Sequence, residues 1–328
     1  MTVATPVDFE AYGDYAPPPG AYVQQGNMAT LVYPIDGRVA DDGSTPFRAD
    51  VGRYHLYYSY YCPWAQRPMI ALKLRGLDGL GGSDGVITSS AVDPVRDGRG
   101  WAFREGRGHE PDPVNGFPLL RDAYLATDPT FDGHVSVPAL WDRATNQLVS
   151  NHYTTMTIDL ETQFAECADP AVDLRPDALH DEIHELNTEI VGSLATAAYA
   201  AMAVTTQSDY DAVSERVYGA LERFDRRLAD RRFLVGDAIT DADLLLYVQL
   251  VRFDLVAVPL GRLTRKRLVD HPHLWAYARD LYQRPAFRET TDFDHIARGT
   301  FGTGAGIRTH RIVPATPEAD WDAPHGRG

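Results

Sequence analysis

The run Tyr60-Tyr61-Cys62-Pro63-Trp64-Ala65-Gln66-Arg67 sets a single thiol between two different periodicities. Residues 54–60 are aromatic and β-favouring, whereas 66–75 carry apolar side chains at Met69, Ile70, Leu72 and Leu74 and stop at Gly76. A strand is therefore expected before Cys62 and a helix after it. A thiol at a helix N-terminus meets the positive end of the helix dipole and unpaired backbone N–H groups, both of which favour the nucleophilic thiolate. Pro63 suits the first helical position, where no N–H is needed. Position 65 is alanine, so the motif is C-x-x-A and has no resolving cysteine beside it. A disulfide formed on Cys62 must then be opened by an outside thiol. Cys167, near a helix end before Asp169-Pro170, is expected to be structural.

The rest of the composition narrows what this thiol serves. A chain of 328 residues with 44% hydrophobic and 23% charged residues has room for two domains with real cores. The net charge of −15, with no basic run, argues against nucleic acid or an anionic membrane surface as a partner. We find no run of about 18 apolar residues suited to span a bilayer, and no basic-then-apolar leader at the N-terminus. The expected location is the cytoplasm, and two cysteines alone fit such a reducing compartment. Lys73 and Lys266 are the only lysines among 31 basic residues, a bias typical of a GC-rich genome. His180 and His184 share a helix face, but the run is not H-E-x-x-H and offers no third ligand, so no metal is expected.

Several elements must position the thiol. Residues 1–50 are rich in Pro, Gly and Asp and read as an extended arm, to which we assign no chemistry. From residue 51 to 170 the expected order is strand (54–60), helix (63–75), strand (86–92), a long irregular stretch (94–134), strand (137–141), strand (147–150) and helix (about 151–165). This is a β-α-β then β-β-α layout of thioredoxin type. The long stretch, which contains Trp101, reads as a functional loop or as unresolved short helices. Residues 171–293 read as an all-α domain with helices over 176–203, 208–228, 240–256 and 271–283. Thr240 and Asp243 form a capping box at the third of these. Residues 294–328 show no periodicity and read as a C-terminal extension.

The C-P-W-A turn, the V-P-x-L-W-D strand at Val137–Asp142, the capped helix at 239–244, and the stretches Val251-Arg252-Phe253-Asp254, Asp292-Phe293-Asp294-His295-Ile296 and Pro324-His325-Gly326-Arg327 together resemble one family. It is the glutathionyl-hydroquinone reductases, the Xi class of glutathione transferases. The resemblance implies a thioredoxin-like N-terminal domain, an all-helical C-terminal domain and a homodimer. It implies no tightly bound cofactor and a low-molecular-weight thiol cosubstrate, either glutathione or mycothiol. Cys62 would attack the sulfur of a glutathionyl-hydroquinone, release the hydroquinone and be left as a mixed disulfide that a second thiol resolves. Val137-Pro138 would be the cis-proline turn beside the bound thiol, and Trp101 the tryptophan against it.

The chain departs from the family at the other thiol contacts. His134 stands where relatives carry arginine, and His152-Tyr153 where they carry the Glu-Ser pair that receives the γ-glutamyl group. Neutral histidine does not hold an ammonium group as a carboxylate does, and each lost charged partner costs roughly 1.5–3 kcal/mol. With the GC-rich bias, these changes favour mycothiol, a cysteine-sugar thiol; Arg104 or Arg107 could instead supply a replacement cation. In the aromatic-substrate pocket Tyr199 matches a family tyrosine, but Ala257 and Thr300 replace two more, so a wider, less polar pocket is expected. The reading is a cysteine-dependent reductase of hydroquinone-like S-conjugates. A general mixed-disulfide reductase and a non-catalytic scaffold are the alternatives.

Overall fold

The computed structural model describes residues 3–25, 28–79, 85–303 and 309–327. The chain divides into two compact units, Met1–Val172 with Arg298–Val313, and Asp173–Ala297 with Pro314–Gly328.

In the first unit, the arm holds a short helix α1 (Phe9–Tyr12) and a hairpin of β1 (Tyr22–Gln25) and β2 (Met28–Leu31). There follow β3 (Tyr54–Tyr58), α2 (Pro63–Leu74), β4 (Asp78–Gly79), β5 (Ile87–Ala91), α3 (Leu120–Thr127), β6 (Ala139–Asp142), β7 (Gln147–Ser150) and α4 (Tyr153–Thr162). The five strands from β3 onward form one sheet in the order β4-β5-β3-β6-β7. β3 is parallel to β5 and antiparallel to β6, with Leu56 opposite Ser89 on one side and Leu140 on the other. One parallel crossover followed by one hairpin is the thioredoxin-like arrangement expected from the strand spacing. All five residues of β3 are buried, as a central strand covered on both faces requires. Tyr54, Leu56, Tyr57, Tyr124 and Trp141 fill the core, each such side chain contributing about 1.5–3 kcal/mol by leaving water.

α2 starts and stops for local reasons. Cys62 is its N-cap in extended conformation and Pro63 its first residue. At the other end Gly76 takes φ +66°, its N–H donates to the Lys73 carbonyl at 3.2 Å, and Leu77 N–H donates to the Leu72 carbonyl at 2.9 Å. That pair of bonds is the Schellman stop, which favours glycine at the left-handed position. Pro68 lies inside the helix without ending it. Arg75 then ties α2 to the end of α4, donating to the carbonyls of Leu160 (2.6 Å) and Gln163 (2.7 Å).

The 94–134 stretch contains one helix, α3, too short to show a period in the sequence. The arm is held against this unit by charge. Arg99 donates to Thr5 Oγ1 at 2.6 Å and Pro6 O at 2.8 Å, and Arg38 grips the buried Asp159 of α4 through three hydrogen bonds of 2.6–3.0 Å.

The second unit contains α5 (His180–Ile190), α6 (Thr196–Ala203), α7 (Gln207–Arg227), α8 (Asp241–Arg252), α9 (Val258–Gly261), α10 (Pro272–Tyr282) and α11 (Pro285–Arg288). A final helix, α12 (Phe293–Phe301), begins here and its last residues belong to the first unit. Residues 294–301, expected to be aperiodic, are thus helical; Gly299 and Gly302 hide the spacing of Phe293, Ile296, Ala297 and Phe301. Two π-helical segments, Val191–Ala195 and Phe253–Ala257, interrupt helices that read as regular in the sequence.

The capping box forms at α8. The buried Asp243 carboxylate accepts from Thr240 N (2.8 Å), Leu234 N (2.9 Å) and Tyr277 OH (2.8 Å). Contrary to the sequence expectation, the run Asp241–Gly261 is long and apolar enough to cross a membrane by length and composition, with a mean hydropathy of 1.6 over an 18-residue window. It is instead mostly buried in the protein, the pattern of a core helix. The C-terminal segment also packs here. Trp321 meets the rings of Trp275, Tyr282 and Phe293 at 4.8–5.4 Å, and Arg327 donates to the carbonyls of Leu228 (3.0 Å) and Arg232 (2.9 Å) past the end of α7.

Candidate active site

The Cys62 thiol is 9% exposed and donates toward the Val137 carbonyl at 3.5 Å. The Val137-Pro138 peptide bond is cis. The same backbone is braced from behind: Tyr124 OH donates to Ser136 O at 2.8 Å, and Asn151 Nδ2 donates to Ser136 Oγ at 3.1 Å. The thiol and the turn beside it are therefore fixed by buried groups, the first requirement for a positioned nucleophile.

Trp101 is almost fully buried, with the ring of Tyr61, the residue before the thiol, 6.2 Å away. The Arg96 guanidinium lies 4.2 Å from the centre of the Trp101 ring and 4.7 Å from that of Tyr15, a cation held between two aromatic faces. Tyr15 OH bonds His134 Nδ1 at 2.7 Å. Burial and the nearby Arg96 charge hold His134 down at about 4, so it is neutral at physiological pH. Burial pushes the Tyr15 phenol up to about 12. Arg96 thus supplies a positive charge next to His134, where the resemblance leads one to expect arginine. Arg104 does not fill that role. Its Nη1 bonds Asp93 at 2.9 Å and its Nε bonds Thr5 O at 2.8 Å, inside the protein. Arg107 lies in an exposed turn.

His152 is the N-cap of α4 and Tyr153 its first residue. The Tyr153 ring packs on Trp64, two residues after the thiol, at 4.7 Å. The arm completes this side of the site. Tyr33 stacks on His152 with ring centres 4.6 Å apart and planes within 12°, and meets Tyr153 edge-on at 5.9 Å. Burial chiefly, and then the neighbouring Tyr153 and Cys62, raise the Tyr33 phenol far above its usual range. Asp36 Oδ1 stands 3.1 Å from His152 Nδ1.

The sequence-predicted thiol residues Cys62, Trp101, His134, Val137, Pro138, His152 and Tyr153 all lie in the first unit. Tyr15, Tyr33, Asp36 and Arg96 were missed. The one available signal was the density of tyrosines in an otherwise aperiodic arm. Among the aromatic-substrate candidates, Thr300 is buried in the last turn of α12 in the first unit. Tyr199 on α6 is 48% exposed and Ala257 closes the second π segment as a buried residue, both in the second unit. Cys167 is a free, half-buried cysteine, and no group of three or more potential metal ligands occurs among the described residues.

A thioredoxin-like sheet carrying the thiol, together with a helical unit, defines a glutathione transferase fold. A family model of the glutathione S-transferase C-terminal domain matches residues 207–280. The chain is 36% identical to glutathionyl-hydroquinone reductase YqjG of Escherichia coli K12, over 89% of this chain and 88% of that protein. It is also similar to the glutathione-bound structure of YqjG, with a TM-score of 0.83 and 35% identity over 89% of this chain and 96% of that one. The Xi glutathione transferase of Phanerochaete chrysosporium superposes with a TM-score of 0.82 and 32% identity, over 89% and 98%. The chain belongs to the glutathionyl-hydroquinone reductases, the Xi class of glutathione transferases, and is an enzyme.

Proposed function

We propose that the protein cleaves S-conjugates of hydroquinone-like aromatics with Cys62 as nucleophile. The Cys62 thiolate attacks the conjugate sulfur. A sulfur–sulfur bond forms, the carbon–sulfur bond breaks, and its electron pair takes a proton at the aromatic carbon to give the free hydroquinone. A second thiol then attacks the mixed disulfide, leaving as the oxidised disulfide and restoring the Cys62 thiolate. The observation that carries this reading is the Cys62 thiol at the start of α2, 3.5 Å from the Val137 carbonyl and with alanine where a resolving cysteine would stand.

Trp101, His134, Val137, Pro138, His152 and Tyr153 are assigned to the thiol cosubstrate, and Tyr199, Ala257 and Thr300 to the aromatic substrate. The thiol chemistry belongs to the thioredoxin-like part, residues 51–170, and the aromatic site chiefly to the helical part, 171–293. The cosubstrate is glutathione, as the glutathione-bound relative supports, or mycothiol, as the changes at 134, 152 and 153 support. We further propose a cytoplasmic homodimer.

Intact-protein mass spectrometry after mixing the reduced protein with oxidised glutathione, and separately with oxidised mycothiol, tests the reading. A glutathione adduct on Cys62 together with turnover of a glutathionyl-hydroquinone supports the ordinary family reaction. An adduct with mycothiol alone supports an exchanged thiol. Adducts without cleavage of any aromatic conjugate indicate a general mixed-disulfide reductase, and no adduct at all indicates a non-catalytic scaffold.

A further inference from the structure

The segment of the arm from Tyr33 to Val39 is built into the sheet edge beside the thiol site. Asn151 N–H donates to the Ile35 carbonyl at 2.9 Å, Gly37 N–H donates to the Val149 carbonyl at 2.8 Å, and Asp36 pairs with Ser150 as an isolated antiparallel bridge. A Cβ at Gly37 would come within 2.5 Å of the Val149 carbonyl oxygen, so only glycine permits this approach. Val39 N–H donates to the buried Asp159 at 2.8 Å, fixing the far end of the segment on α4.

This anchoring sets one carboxylate at the start of α4. Asp36 Oδ1 accepts from Thr155 Oγ1 at 2.8 Å and lies 3.1 Å from His152 Nδ1. Its Oδ2 has no hydrogen-bond partner among the described residues, and the side chain is 46% exposed. The stacked rings of Tyr33 and His152 stand beside it. A half-exposed carboxylate with one oxygen unpartnered among the described residues has the chemistry of a site for an ammonium group, which gains from the charge.

We propose that Asp36 receives the cationic amine of the thiol cosubstrate and is a specificity-determining residue of the reaction. The inference rests on the thiol-dependent reading above and deepens it. The resemblance implies a carboxylate where this chain has His152, and the arm sets Asp36 beside that position from a different part of the sequence. The cosubstrate selected is then a thiol with a free amine, the γ-glutamyl class, over a thiol whose amine is acylated.

The test uses the full-length enzyme with glutathione and with glutathione acetylated on its amine. Asp36→Asn should raise KM for glutathione about tenfold or more, the loss expected for one charged hydrogen bond, with a much smaller change in kcat. Asp36→Glu should recover part of the loss. Asp42→Asn, at an exposed arm carboxylate that accepts from Ser44, should match the wild type. The acetylated thiol should be used poorly by the wild type and no worse by Asp36→Asn. A normal KM in a folded Asp36→Asn enzyme, or equal use of the two thiols by the wild type, overturns the assignment while leaving Cys62 chemistry intact. Failure of the wild type to react with glutathione at all overturns this assignment, and failure with every thiol overturns the reading beneath it too.

Discussion

The Cys62 sulfur and the Val137 carbonyl oxygen stand 3.5 Å apart although the two residues belong to different elements, the start of α2 and the turn before β6. This contact joins the nucleophile to the backbone that lies beside the incoming thiol in the proposed reaction. It makes the position of the sulfur a property of the sheet: α2 follows β3, the turn precedes β6, and β3 and β6 are paired neighbours.

Cys62→Ser keeps a small hydrogen-bond donor at this point and removes the sulfur nucleophile. Turnover of an aromatic S-conjugate should fall on the order of a thousandfold or more, because a serine hydroxyl does not attack sulfur. The unfolding midpoint should stay close to that of the wild type. Adduct mass spectrometry and steady-state kinetics on the same preparation check both halves, and retained turnover would remove Cys62 from the mechanism.

A second prediction concerns His55, buried in the middle of the sheet between Thr88 Oγ1 (2.7 Å) and Ser90 Oγ (2.8 Å). Burial, helped by the Arg143 charge, holds its pKa down at about 3, below the roughly 6.5 of an unfolded chain. Between those values the unfolded chain binds the extra proton, so stability falls as pH drops below the unfolded pKa. At pH 4.5 the loss relative to pH 7 is about 2–3 kcal/mol for this group alone. Urea unfolding at both pH values should show a smaller acid loss in His55→Gln than in the wild type; equal losses would contradict the assignment. His134 titrates in both proteins and cancels in the comparison.

How much of this was legible in the sequence depends on whether a contact is local. The turn carrying Cys62 was readable because a short aromatic, β-favouring run gives way to helical spacing within a few residues, and Gly76 marks the stop. The pairing of Thr240 with Asp243 was readable for the same reason. Asp36 beside His152 was not, since the contact depends on Gly37 meeting Val149 across the fold, and no periodicity records that. Arg96 likewise gains its place between Tyr15 and Trp101 only through tertiary packing. The π segments escaped because one extra residue in a turn leaves the apolar spacing of 176–203 and 240–256 almost unchanged.

Gly299 gives a third prediction, from packing alone. A Cβ at this position would sit 2.5 Å from Cγ and 2.6 Å from Cβ of Tyr61, the residue next to the nucleophile. Glycine there lets the last turn of α12 approach the loop before α2, and no rotation of the Tyr61 ring relieves a clash with its own Cβ. Gly299→Ala gains helix propensity of up to about 1 kcal/mol, since alanine loses less backbone entropy. Overpacking opposes it with about 1–3 kcal/mol, and the backbone of either Tyr61 or α12 must shift to accommodate the methyl group. The variant should therefore be less stable on balance. Its kcat/KM should fall further than stability alone accounts for, because a shift at Tyr61 is transmitted to Cys62 across one peptide bond. Thermal unfolding and kinetics below the transition separate the two effects. A Gly299→Ala enzyme as stable and as active as the wild type would mean that α12 does not constrain the nucleophile's loop.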